Sequence, residues 1–276
     1  MIAILLALCT AFGYGVANYL APVLGRRMPL AAVLLGSQLA GLAVSALLTL
    51  GSDLTMHGAG LALAVAAGVS NSAALACFYR AARTGNLSVV SPVAASGAAV
   101  PVLIGLLAGD RPSIWQAVGI LLVLVGIVLA ARRSSTGGPG GTAGIGWALA
   151  AGALFGTFLA TYAGAAADSP TGALLWSRVA LVAATGAGIL VLRAPVRVRP
   201  RDGALTAVPG LLLALGTFAF GEATRIGLLS VVSVIASLNP VVTVVLAFVL
   251  LRERPAPVQR IGAALALAGI LLLALG

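Results

Sequence analysis

Apolar runs of about twenty residues, long enough to cross the hydrocarbon core of a bilayer, follow one another along this chain with only short polar links between them. No other feature restricts its fold as severely. Lipid offers the backbone no hydrogen-bond partner, so each run must satisfy its own amides and carbonyls, and a helix does so. Ten such runs can be drawn, over 2–24, 30–50, 58–82, 87–108, 114–131, 144–167, 172–192, 204–224, 228–250 and 257–275. Hydrophobic residues make up 61% of the chain and charged residues 8%, too few charges to clothe a soluble surface. The expectation is an all-α polytopic membrane protein in the cell membrane.

The runs are written twice. "DRPSIWQAVG" from Asp110 returns as "ERPAPVQRIG" from Glu253, and "AFGYGVANY" from Ala11 returns as "LFGTFLATY" from Leu154, both at an offset of 143. "RTGNLSVVS" from Arg83 returns as "RIGLLSVVS" from Arg225 at an offset of 142. Three matches in one order at one spacing mark a duplication. The stretch "RRSSTGGPGG" has the composition of a flexible linker. It divides the chain into a first repeat over 1–131, a linker over 132–143 and a second repeat over 144–276. Each half holds five runs. An odd number starts the second half on the opposite face, so the repeats are expected to be inverted, with a shared cavity that can open to either side.

The net charge of +10 is carried by arginine, scattered singly or in short groups between apolar runs. No basic face with interleaved aromatics appears, so nucleic acid is not expected as a partner. Ten spans put thirteen arginines on one side, Arg111 and Arg225 on the other, and Arg178 inside the seventh run. The positive-inside rule makes the arginine-rich side cytoplasmic and both termini external. Cys9 and Cys77 lie within apolar runs and fit no metal or disulfide pattern. His57 reads as a solvated loop histidine. The first run lacks a basic leader and is followed at once by further spans, so it reads as an uncleaved helix. Gly119 and Gly126, like Gly262 and Gly269, lie seven apart and share a helix face suited to close packing.

The acidic-Arg-Pro-Gln-Gly pattern that opens the last helix of each half, together with two five-helix repeats, resembles the EamA-type members of the drug/metabolite transporter superfamily. The resemblance covers nearly the whole chain. It implies ten helices in two inverted bundles and movement of small metabolites, amino acids or drug-like compounds, most often outward. It also implies termini in the cytoplasm, against which the arginine count stands as the local signal.

Few residues can carry chemistry in such a chain. Asp110 and Glu253 are expected to cap the helices they precede and to anchor them at the interface. Glu222 borders the eighth span and is a candidate for binding a cationic group or carrying a proton; an ion pair with Arg225 or Arg178 is the favoured structural reading. Arg178 either snorkels to the interface, the favoured reading, or faces the cavity and attracts an anion. Its counterpart in the first half is near the neutral Gln38. Tyr14, Asn18 and Tyr19 in the first helix, and Thr157, Phe158, Thr161 and Tyr162 in the sixth, are cavity-lining candidates with Asn71, Ser72 and Phe218; interhelical hydrogen bonding satisfies the same physics. Pro92, Pro101 and Pro240 favour kinks.

No phosphate-binding loop, cofactor motif, metal cluster or paired catalytic group is present, which disfavours ATP coupling and enzymatic activity. The expected function is a secondary transporter, most simply an exporter, of a small organic metabolite by alternating access. Protons are a candidate coupling ion, and the chain acts as a monomer or weak homodimer. A facilitative uptake carrier or exchanger is the alternative; a passive channel or intramembrane enzyme is more remote.

Overall fold

The computed structural model describes residues 1–25, 28–84, 94, 97, 99–130, 144–196, 200–239 and separate positions between 241 and 272. Among them the regular elements are helices: α1 (Ile2–Gly25), α2 (Leu30–Leu48), α3 (Gly58–Thr84), α4 (Ala99–Leu107), α5 (Ile114–Ala130), α6 (Ile145–Asp168), α7 (Pro170–Leu192), α8 (Ala207–Ile226) and α9 (Leu229–Ala236). A short helical segment, Pro200–Leu205, leads into α8. Six of the described helices are long and apolar enough to cross a membrane, within α1, α2, α3, α6, α7 and the Gly203–Ile226 stretch. The chain is a polytopic membrane protein, all-helical in the regular elements of its described residues. The linker, Pro92, Pro240, Glu253 and most of the ninth and tenth runs lie outside the described residues.

Local chemistry sets where helices begin. The Ser169 hydroxyl accepts the Gly172 amide at 3.1 Å and Pro170 takes the first turn, so α7 starts two residues earlier than the apolar run predicts. The α6–α7 connection is thereby reduced to Ser169 alone. Helix α5 opens on a reciprocal cap in which the Ser113 amide donates to Gln116 Oε1 and the Gln116 amide to Ser113 Oγ. Asp110 is therefore not the cap of the helix it precedes. Its carboxylate instead accepts the amide and the hydroxyl of Ser230, both at 2.9 Å, and caps the start of α9.

The halves interleave. Ala3, Thr10 and Gly13 of α1 meet Gly227, Gly216 and Leu212 in turn, so α1 and α8 run antiparallel. Gly60, Leu63 and Phe78 of α3 meet Asp168, Gly164 and Phe155, so α3 and α6 do likewise. Helix α3 runs parallel to α7 through Gly68–Ser177 and Ser72–Thr185, and α2 runs parallel to α8 through Gly36–Thr206 and Gly41–Gly210.

Two of these contacts are the same contact with the halves exchanged. A Cβ on Gly68 would meet the Ser177 carbonyl oxygen at 2.3 Å, Ala180 Cβ and the Leu181 amide nitrogen; one on Gly210 would meet the Ser37 carbonyl oxygen at 2.2 Å, Ala40 Cβ and the Gly41 amide nitrogen. Glycine is required at both positions by close backbone approach. The expected glycine seam of the last helices also forms, with Gly269 set against the Gly119 carbonyl and Val123.

Charge separates along the bundle. Asp53, His57, Asp110, Arg111, Asp168, Glu222 and Arg225 lie at or near the end formed by the start of α3 and the close of α6 and α8, whereas Arg80 and Arg193 lie at the other. Arg80 stacks 4.6 Å above the Trp147 ring, an anchor suited to the membrane interface.

Replacing Gly68 or Gly210 by Ala is expected to lower the thermal midpoint in detergent through an overpacking cost of about 1–3 kcal/mol. Gly186→Ala, which adds a methyl group with nothing within 4 Å, is the control and is expected to leave the midpoint unchanged.

Candidate functional site

Arg178 lies two turns into α7, on the face that meets α2 and α8, and is only 3% exposed. It does not snorkel. Its Nη1 donates to Gln38 Oε1 at 3.1 Å, and its Nη2 donates to Thr217 Oγ1 at 2.6 Å and to the Leu213 carbonyl. The approach of α2 is possible because Gly41 sits beside the guanidinium with no side chain between them. Gln38 is itself 2% exposed, so the two residues that correspond between the halves meet each other inside the bundle.

Thr217 is the hub of this network. Its hydroxyl donates to the Leu213 carbonyl at 2.7 Å, accepts from Arg178, and bonds the Tyr14 hydroxyl at 2.8 Å. Four helices, α1, α2, α7 and α8, are thereby tied at one point. Gln38, Thr217 and the Leu213 carbonyl are all uncharged. Among the described residues the ion pairs are His57 with Asp168 and Arg225 with Glu222, and neither involves Arg178. Among the described residues this buried guanidinium is hydrogen-bonded but not paired with a carboxylate, a costly state inside a membrane-spanning segment.

One turn along α8 from Thr217, against Gly221, stands an aromatic group. Tyr162 is fully buried, with its ring 5.9 Å from Phe158 and 6.3 Å from Phe220. Among the described residues its hydroxyl has no hydrogen-bond partner, an uncommon state for a buried polar atom that it shares with the Ser233 hydroxyl. Gly221 lies against it, since a Cβ there would stand 3.4 Å from the hydroxyl.

The other candidates disperse. Asn18 is exposed and reaches Asn239 at 3.4 Å. The Thr157 and Thr161 hydroxyls bond carbonyls of their own helix, at Ala153 and Thr157. Ser72 bonds Thr185 across the α3–α7 contact, while Tyr19, Asn71 and Phe218 are half-buried without joining the Arg178 network. Glu222 pairs with Arg225 at 3.2 Å on a partly exposed face, not with Arg178. Thr217 and Thr10, whose hydroxyl donates to the Gly216 carbonyl at 2.9 Å, are site or seam residues that the sequence reading missed. A lone hydroxyl in an apolar run was the available signal, and it does not name the helix it faces.

At the acidic end His57 Nδ1 lies 2.7 Å from Asp168 Oδ1, so this loop histidine is exposed yet paired. The pair joins the α2–α3 loop to the end of α6. Thr171 adds a bond to the Asp53 carbonyl. The hydrogen bond and charge of Asp168 raise the His57 pKa above its ordinary value.

The model of the EamA-like transporter family matches residues 1–132 and again 142–275. A solved crystal structure covers 99% of this chain, and is itself covered over 96% of its length, with a TM-score of 0.82 at 16% sequence identity. At that identity the likeness concerns the fold alone. No curated protein matches the chain.

Thr217→Val is expected to cost about 1–3 kcal/mol because it strips partners from a buried guanidinium and a phenol together. Thr224→Val, whose hydroxyl bonds only the Gly221 carbonyl of its own helix, is the mild control in the same melting assay. For His57 the raised pKa means the paired, protonated form favours the fold: the contribution is full below about pH 6.5, the unfolded value, and is lost as pH climbs through the folded one. The difference in thermal midpoint between the parent and His57→Gln is therefore expected at acidic pH and to vanish toward alkaline pH.

Proposed function

We propose, on the footing that this chain belongs to the EamA-like transporter family, that it is a secondary transporter exporting a small organic metabolite across the cell membrane by alternating access. The family accounts for a membrane transporter of small molecules; substrate, direction and coupling are our reading.

One observation carries the mechanism: helix contacts recur with the halves exchanged. Helix α1 packs on α8 as α3 packs on α6, α2 on α8 as α7 on α3, and α1 on α9 as α4 on α6. Short connections make α1 and α3 co-directional, and α6 runs against α3, hence against α1. This supports two inverted repeats, over 1–131 and 144–276 with the linker at 132–143, related through the Gln38–Arg178 contact. Such a pair can pass between two states by trading equivalent contacts, with one end closed in each. In the present state the acidic end is bridged between halves by His57–Asp168 and by Asp110–Ser230. Toward the other end Asn18 reaches Asn239 of the other half at 3.4 Å. Arginine enrichment of that end supports placing it in the cytoplasm, with the termini outside.

Tyr14, Tyr162, Phe158 and Arg178 are the residues we place at the substrate. Thr157, Thr161, Asn18, Tyr19, Asn71 and Phe218 would border its path. Glu222, in a partly exposed pair, is better read as structural than as the proton carrier.

In proteoliposomes, internal unlabelled metabolite is expected to accelerate uptake of the same labelled compound, the signature of a carrier; non-saturating flux with no such acceleration would indicate a channel. Glu222→Gln is expected to keep gradient-driven flux within about twofold and to cost no more than about 1 kcal/mol, as for an exposed ion pair. Loss of gradient-driven flux with exchange intact would instead make Glu222 the proton carrier.

A further inference from the structure

The chemical class of the substrate can be drawn from the buried cation and from a buried hydroxyl that is unbonded among the described residues. We infer that Arg178 and Tyr162 form the recognition point for a carboxylate, and that the transported solute is an organic acid with an apolar or aromatic body. This rests on the transporter reading and narrows it.

Arg178 is held by a glutamine, a threonine and a backbone carbonyl, none of which supplies negative charge. The corresponding position of the other half holds Gln38, which is equally buried and neutral. The repeat therefore places a cation at this position in one half only, and the residue opposite it accepts a hydrogen bond without supplying negative charge. A planar guanidinium matches a carboxylate through paired, charge-assisted hydrogen bonds, and such an anion can replace the neutral acceptors at a gain.

The Tyr162 hydroxyl is the second, independent observation. It is fully buried and, among the described residues, has no partner. A buried hydroxyl left unpaired lowers stability, so its retention fits a group satisfied only when a ligand is present. A carboxylate oxygen is an acceptor for it. Phe158, Tyr162 and Phe220 pack around that hydroxyl as a buried aromatic cluster, surroundings that suit an apolar or aromatic body once the helices part to admit it. A cationic solute would meet an uncompensated positive charge and be rejected.

The test uses the full chain purified in detergent at neutral pH and two matched probe series: 3-phenylpropionate, its amide and 3-phenylpropylamine; hexanoate, its amide and hexylamine. Thermal midpoint is followed against probe concentration, since a ligand of the folded state raises it. At least one acid is expected to raise the midpoint saturably, with its amide and amine inert. Arg178→Gln is expected to weaken the acid at least about tenfold. Tyr162→Phe removes only an unpartnered hydroxyl, so it is expected to keep or raise the ligand-free midpoint while weakening the acid about three- to tenfold. It decides the matter should Arg178→Gln fail to fold. Equal response to amines or amides, an undiminished acid response in Tyr162→Phe, or no response to either acid overturns the assignment. Counterflow of a neutral or cationic solute, with the acids inert, would overturn it while leaving the transporter reading intact; absence of carrier behaviour with any solute would remove both.

Discussion

Helices surrounded by lipid gain nothing from the hydrophobic effect by touching one another, because the tails they displace are as apolar as they are. Close approach of backbones is what this bundle has instead. Gly68 against Ser177 and Gly210 against Ser37 bring α3 onto α7 and α8 onto α2 at distances no side chain would permit. These seams fix where α2 and α7 face each other, and there Gln38 meets Arg178. The buried charge is therefore a product of the packing: the glycines bring its acceptors within reach.

Much of this architecture is legible in the sequence. Apolar runs give the spans, because lipid leaves the backbone no alternative to the helix, and the echo between Asp110 and Glu253 marks the duplication. Boundaries are read less well. The start of α7 depends on a serine hydroxyl and a proline just outside the apolar run. Asp110 looks like the cap of its own helix by position, yet Ser113 and Gln116 already fill that role and free it to act across the bundle.

The candidate site is harder to read for a physical reason. Residues that correspond by repeat can be aligned in one dimension, and Gln38 with Arg178 is such an alignment, but contact between them depends on how the halves interleave. Arg178 has a stem long enough to reach an interface, so its spacing allowed snorkelling; only the uncharged acceptors around it hold it inside. Thr217 carries no motif. It matters because its one hydroxyl is reached by both Tyr14 and Arg178, whereas Thr157 and Thr161 spend theirs on their own helix.

The reach of Asp110 to Ser230 ties two processes that are usually separate. A carboxylate of one half accepts the buried Ser230 amide and hydroxyl at the start of a helix of the other. If the halves part at that end, as the proposed alternating access requires, α9 loses the acceptor of its first-turn amide, and that turn is expected to loosen as the end opens and to re-form as it closes. Secondary structure at that spot would then report the position of the gate.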